Sequence, residues 1–164
     1  IAQIYEGANG IQALDLVGRK LPAHGGRAIQ AFFALVAGEC ASAKGKPELE
    51  KIATALESAL GDLQASTMWL MANAMANPDN AGAGSVAYMH LTGVVAIGLM
   101  WLRMATAAQA ALDAGTEDSA FMNAKVITAR FYAERSLPET ISLRRKLEAG
   151  AESVMALPVE AFAA

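Results

Sequence analysis

The stretch PELEKIATALESALGDLQASTMWL, residues 47–70, decides the fold class. Its core-type residues return at intervals of three or four, at Leu49, Ile52, Leu56, Leu60, Leu63, Thr67 and Leu70. This spacing is typical of an amphipathic helix whose apolar side needs a partner surface. Pro47 suits a first helical position and the acidic Glu48 and Glu50 suit the positive end of the helix dipole. We therefore predict a long helix that begins at Pro47.

The same helical period extends through the rest of the chain, while strand signals are weak. It predicts six helices, over residues 9–21, 27–43, 47–77, 85–114, 116–137 and 139–149. The third and fourth are long and joined by a short Asn-Pro-Asp segment, so we expect them to lie antiparallel. The predicted fold is all-α, an antiparallel helical bundle with long central helices.

The fourth and fifth helices lead to more specific expectations. Ser85, at the end of GAGS (82–85), is a suitable N-cap, and we expect the fourth helix to start there. Its apolar run 91–102 is shorter than a membrane span and indicates a buried central helix, with His90 in the core or an interface. Gly93 and Gly98 indicate close helix–helix approach. In the fifth helix we expect one side to face inward, carrying Phe121, Ala124, Ile127, Phe131 and Tyr132.

Composition excludes several functions. Hydrophobic residues make up 54% of the 164 residues and the net charge is −3, so neither disorder nor nucleic-acid binding is indicated. Cys40 is the only cysteine, which excludes an intrachain disulfide and fits a reducing cytoplasm. We expect it to be a buried small hydrophobe. His24 and His90 have no carboxylate spaced for a metal site, and we expect His24 on a surface turn and no bound metal.

The first residues, IAQIYEGANGIQALDLVGRKL (1–21), raise the question of chemistry. No basic region followed by a long apolar segment resembles a signal peptide, and the chain is expected to begin partway through a longer protein. Glu6 lies between Tyr5 and Gly7. Two interpretations are open for Glu6. Its carboxylate acts as a general base if desolvation raises its pKa, and otherwise Glu6 is a solvated loop residue without a catalytic role. Residue chemistry alone favours the solvated reading.

This opening stretch resembles the signature near the end of FAD-dependent acyl-CoA dehydrogenases, Tyr-Glu-Gly-Thr followed by a helix with Gln and Gly-Arg. Residues 61–105 and 120–140 resemble the extra helical domain of a long subfamily that includes 3-methylmercaptopropionyl-CoA dehydrogenases. The resemblance implies that Glu6 removes the α-proton of an acyl-CoA thioester and that Gly7 lines the thioester site. It also implies FAD contacts at Ala8, Asn9 and Gly10. Ala8 departs from the usual Thr, so a hydroxyl contact to the cofactor is absent there.

The resemblance also implies a division of the chain. Residues 1–22 would end the catalytic helical domain, and residues 23–164 would form the appended bundle. Because the flavin-covering domains are not in this sequence, we expect the chain alone to be inactive. In the parent we expect acyl-CoA, an electron-transfer flavoprotein and further copies of the enzyme as partners, and no transmembrane segment. The alternative is a non-catalytic helical assembly module, in which aromatic surfaces (Trp69, Trp101, Phe131, Tyr132) serve contacts. An Asp15–Arg19 pair would stabilise the first helix or serve assembly.

Overall fold

Every regular element in the described part of the chain is helical. A computed structural model describes the backbone of residues 1–163 and the side chains of residue 1 and residues 8–162. The α-helices are α1 (Ala2–Asp15), α2 (Arg27–Ala43), α3 (Pro47–Asn73), α4 (Pro78–Asp113), α5 (Ser119–Arg135) and α6 (Glu139–Glu148). A π-helical turn spans Leu16–Lys20, and 3₁₀ turns span Ala23–Gly26 and Val159–Ala163. The predicted all-α bundle is confirmed.

Helix α3 forms as its sequence predicts. It begins at Pro47, with Glu48 and Glu50 in its first turn. All seven residues of the predicted stripe are buried, and four of them, Leu49, Leu56, Leu63 and Ile52, are at most 1% exposed. Each fully buried Leu or Ile side chain contributes about 1.5–3 kcal/mol relative to an exposed one. The stripe is therefore a main part of the core.

Helices α3 and α4 pack antiparallel. Three contacts show the direction: Asn73 with Asn80, Thr67 with Tyr88, and Leu56 with Gly98. Earlier residues of α3 therefore contact later residues of α4. The Thr67 Oγ1 to Tyr88 OH distance is 2.8 Å and both side chains are buried. Burial raises the pKa of the Tyr88 phenol, which keeps this hydrogen bond neutral.

The predicted start of α4 at Ser85 is wrong. The helix begins at Pro78, and the side chain of Asn77 accepts a hydrogen bond from the Asp79 N–H at 3.0 Å. Residues 82–85 are inside the helix, where the buried Ser85 hydroxyl donates to the Gly82 carbonyl. The Asn-Pro-Asp segment is therefore the N-cap and first turn of α4, while α3 has already ended at Asn73.

Helix α4 is the centre of the bundle. It contacts α1, α2, α3, α5, α6 and the π-turn. By length and composition it is also apolar enough to cross a membrane, as the core helix of a bundle can be. It is not buried all round: Val86, His90 and Ile97 are exposed. A core position for His90 is therefore wrong, because no helix of the described chain covers its side of α4, and the alternative that His90 lies in an interface stays a prediction.

The predicted orientation of α5 is wrong for four of its five residues and right for Tyr132, which packs half-buried against the core. Phe121, Ile127 and Phe131 are 56%, 58% and 61% exposed, and Ala124 is exposed as well. The buried residues of α5 are instead the small Ala129 and Ala133. Next to them the half-buried Tyr132 donates its hydroxyl to the Val94 carbonyl of α4 at 3.0 Å. Small side chains let α5 approach α4 closely, so its bulky apolar side chains are left on the outside.

Helix α2 and the C-terminal helix agree with their predictions. Helix α2 has the predicted bounds. Its Cys40 is fully buried, with 0% of its surface accessible to solvent, as predicted. Burial, with a smaller contribution from Glu57, raises the pKa of the Cys40 thiol to about 11. At neutral pH it is a protonated and unreactive hydrophobe. Helix α6 begins at Glu139, as predicted, and carries the basic Arg145 and Lys146 in its last turn.

Of the two glycines predicted to mark close approach, only Gly98 does so. A Cβ at Gly98 would lie 2.9 Å from Leu56 Cδ1 and 2.9 Å from Leu137 Cδ2, and both leucines are buried. A Cβ at Gly93 would meet nothing within 4 Å. The prediction for Gly93 is therefore wrong.

This difference makes a matched pair of substitutions. Gly93→Ala is expected to raise the free energy of unfolding, because Ala is favoured over Gly in a helix by about 0.8–1.0 kcal/mol. Gly98→Ala has the same helical gain, but overpacking against the two leucines costs about 1–3 kcal/mol. Urea unfolding followed by circular dichroism measures both. Equal stabilisation by the two substitutions would contradict the close packing at Gly98.

Candidate active-site helix

All five residues predicted to serve catalysis fall in α1. The side chain of Glu6 and the surroundings of Gly7 lie outside what the structure describes, so the roles of both residues stay predictions. Among the others, Ala8 and Asn9 are exposed and Gly10 is half-buried. The predicted helix start near Asn9 is wrong, because α1 already begins at Ala2. Three consecutive helical residues point in directions about 100° apart, so residues 8–10 do not form a pocket by themselves.

Residues 8–10 fit an FAD contact only as one side of a shared site. A Cβ at Gly10 would meet nothing within 4 Å, which leaves open space for a ligand beside the backbone. Asn9 brings an amide that can donate and accept hydrogen bonds, whereas Ala8 brings no polar side-chain atom. Residues 8–10 line neither of the two apolar grooves that flank Leu21 and Ile29. A flavin held here would therefore need walls from other parts of a longer protein.

A π-helical turn joins α1 to the bundle. The N–H of Leu21 donates to the Leu16 carbonyl at 2.8 Å, five residues back. Next to it, the Asp15 carboxylate accepts from Arg19 Nη2 at 3.0 Å and lies 3.1 Å from Lys20 Nζ. Hydrogen bonds from Arg19 and then Lys20 hold the pKa of Asp15 at about 2. The predicted Asp15–Arg19 pair is confirmed, and a role for it in assembly stays a prediction.

The chain after the π-turn makes a left-handed turn before α2. His24, Gly25 and Gly26 have φ values of 52°, 66° and 77°. Glycine adopts this conformation without steric cost, whereas His24 is strained there. His24 is exposed, as predicted for a surface turn. The turn reverses the chain so that α2 packs against α3.

An apolar groove of about 480 Å³ lies beside this turn, and sequence reasoning missed it. Among the described side chains that line it, none is charged. Its residues are Val17, Gly18, Leu21, Pro22, Gly25, Gly26, Ile29, Gln30, Thr67, Leu70, Met71, Ala74, Met75, Pro78 and Ala81. A smaller groove of about 230 Å³ on the other side of Leu21 and Ile29 also contacts Tyr88 and Thr92. Within the described residues no group of three or more His, Cys, Asp or Glu side chains is placed to hold a metal.

Comparison with known proteins identifies the family. Residues 28–158 match the family described as "Acetyl-CoA dehydrogenase C-terminal like". The chain is 39% identical over 140 residues to 3-methylmercaptopropionyl-CoA dehydrogenase of Ruegeria pomeroyi, covering 85% of the chain and 24% of that protein. It is 34% identical over 173 aligned positions to the broad-specificity linear acyl-CoA dehydrogenase FadE5 of Mycobacterium tuberculosis, covering 99% of the chain and 28% of that protein. The chain thus spans about a quarter of the length of these relatives. The predicted resemblance is confirmed, and the chain belongs to the acetyl-CoA dehydrogenase C-terminal-like family.

Proposed function

We propose that the chain is the C-terminal part of an FAD-dependent acyl-CoA dehydrogenase, which oxidises an acyl-CoA thioester to the trans-2-enoyl-CoA. The match to relatives that are both named acyl-CoA dehydrogenases, over 85% and 99% of this chain, carries the proposal. Acyl-CoA, an electron-transfer flavoprotein and further copies of the enzyme are the proposed partners of the parent, and the cytoplasm is its proposed location. The proposed division puts residues 1–22 in the catalytic domain and 23–164 in the appended bundle.

In this proposal Glu6 is the general base. Its carboxylate takes the α-proton of the thioester, and hydrogen bonds to the thioester carbonyl, one from the N–H of Glu6, stabilise the negative charge that develops there. Gly7 lies beside the thioester, and residues 8–10 contact the cofactor. FAD, when bound, supplies the acceptor for the β-hydride. The exposed positions of Ala8 and Asn9 and the open space at Gly10 support a contact surface at this part of α1.

A second candidate function is a non-catalytic assembly module. The exposed Phe121, Ile127 and Phe131 on one side of α5 favour it, because bulky apolar side chains are enriched where helices meet partners. The two functions are compatible, because the appended bundle can serve assembly while the catalytic domain of the same full-length protein carries out the reaction.

The test compares the full-length parent with the 164-residue chain. The parent is expected to purify with bound flavin and to reduce an electron-accepting dye when acyl-CoA is added. The isolated chain is expected to contain no flavin and to show no acyl-CoA-dependent dye reduction, because residues 8–10 alone do not enclose a cofactor. A full-length protein without flavin and without dye reduction would overturn the proposal, and turnover by the isolated chain would overturn the shared-site interpretation.

A further inference from the structure

The residues that follow α6 form an exposed apolar arm. This C-terminal arm, residues 151–162, leaves the bundle after Gly150. Its five large apolar side chains are between 61% and 82% exposed, those of Val154, Met155, Leu157, Val159 and Phe162. Apolar surface exposed to this extent marks a place of contact with a partner. The arm therefore presents side chains that the bundle of the same chain does not bury.

The start of the arm is fixed to the bundle near the point where α3 ends and α4 begins. The Ala151 N–H donates to Asn80 Oδ1 at 2.9 Å. Gly150 has a φ of 68°, and a Cβ there would lie 3.0 Å from Asn80 Oδ1 and 3.6 Å from Trp69 Cη2. The first residue of the arm is therefore held beside Trp69, while the residues after it extend into solvent.

The larger apolar groove lies at the same end of the bundle but on the other side of α3. Met75 and Pro78, next to the connection between α3 and α4, line it together with Thr67 and Met71 of α3. Trp69 is two positions from both Thr67 and Met71, and residues two apart on a helix point about 160° away from each other. Residues 151–162 do not line the groove. Each arm thus starts on the far side of α3 from the groove of its own chain.

The charges of the two surfaces are complementary. The arm has two acidic residues and no basic one, at Glu152 and Glu160. The groove wall of residues 17–30 has three basic residues and no acidic one, at Arg19, Lys20 and Arg27. With the nearby Asp15 and Asp79 included, the groove side still has more basic than acidic residues. Opposite charge of this kind favours the acidic arm as an occupant of the groove.

We propose that the C-terminal arm of one copy of this protein lies in the apolar groove of a second copy, and that the arm of the second copy lies in the groove of the first. Both surfaces are at the same end of the bundle, so two copies that meet end to end about a twofold axis form a closed dimer. The exposed Met71 and Met75 have flexible side chains that adapt to an apolar occupant. The inference rests on the proposed function for one point, that further copies of the protein are its partners.

Cross-linking between two distinguishable copies of the full-length parent tests the inference. One co-expressed copy carries Leu157→Cys in the arm, and the other carries Met71→Cys beside the groove and a tag that changes its mass. A short bismaleimide is expected to link position 157 of one copy to position 71 of the other, and mass spectrometry of the linked peptides identifies the positions. The matched control is Met100→Cys, at a methionine 45% exposed and about 30 Å along α4 from the groove, where no link is expected.

A synthetic peptide of residues 151–162 adds a measurement that does not depend on how a variant folds. In excess, the peptide is expected to occupy the groove and to lower the yield of the link between positions 157 and 71. The same peptide with Leu157→Ser is expected to need an about 10- to 100-fold higher concentration for the same effect, the range for losing the burial of one leucine. A peptide of the same composition in scrambled order is the control and is expected to leave the yield unchanged.

No link between positions 157 and 71 would overturn the inference, and so would an equal link to position 100. A link that the arm peptide does not reduce would overturn it too. If both substitutions are placed on one chain, linking only within that chain would show that each arm occupies its own groove, which excludes the second copy as the occupant. None of these measurements uses turnover or flavin content, so the proposed oxidation of acyl-CoA is decided separately by the dye-reduction test.

Discussion

Replacing Glu6 by Gln in the full-length parent is expected to lower kcat by about 10²- to 10⁴-fold, the range that a positioned general base contributes. The amide has nearly the same size and still forms hydrogen bonds, but it does not accept the α-proton. Acyl-CoA-dependent dye reduction measures the effect. The side chain of Glu6 lies outside the described residues, so this experiment is the direct test of its predicted role.

The controls separate lost chemistry from lost structure. Flavin absorbance of Glu6→Gln is expected to match that of the parent, because the substitution leaves residues 8–10, the proposed cofactor contacts, unchanged. Glu48→Gln, an exposed carboxylate in the first turn of α3, is expected to leave turnover unchanged. Turnover near the parent value in Glu6→Gln would remove Glu6 from the mechanism.

Leu56→Ala is expected to lower the free energy of unfolding by about 2–5 kcal/mol, the range for deleting a buried leucine. Leu56 is 0% exposed and faces Gly98, which has no side chain to fill the space. The cavity is therefore expected to persist. Urea unfolding of the chain measures the change, and Leu35→Ala, at a leucine 43% exposed, is the control with an expected loss of about 1 kcal/mol.

The cavity also predicts coupling between two positions. In the Leu56→Ala background one of the two 2.9 Å contacts of a Cβ at position 98 is gone. Gly98→Ala is therefore expected to destabilise this background less than it destabilises the parent sequence. Residues in contact commonly couple by about 0.5–3 kcal/mol. Strict additivity of the two substitutions would show that Leu56 and Gly98 are not in contact.

The sequence predicted an element correctly where its helix-start signals and the spacing of its apolar residues indicate the same helix and the same buried side. In α3 the proline, the acidic first turn and the spacing of the stripe all indicate one helix with one buried side, and the structure has both. For α5 the spacing indicated a helix but not which side is buried. Tertiary packing decided that, because Ala129 and Ala133 allow a close approach to α4 that Phe121 and Phe131 do not.

The candidate site was predictable only in part, for physical reasons. Glu6 has no neighbours in sequence that indicate catalysis, and only the similarity of residues 4–21 to a family signature pointed to it. The π-turn has no recognisable sequence signature. The wide turn is stabilised by the burial of Val17 in the core and by the ion pairs of Asp15, which arise only in the folded chain. The apolar groove is formed by two stretches of the chain, residues 17–30 and 67–81, and its shape exists only in the folded bundle.

The position of α4 has a consequence for how the molecule opens. Five helices rest on Pro78–Asp113, and the connections between them are short. No one of these helices covers α4 alone, yet the amide protons on its buried side reach solvent only after several of them have left together. Deuterium is therefore expected to enter the buried side of α4 only with complete unfolding, while the outer helices exchange earlier through smaller fluctuations.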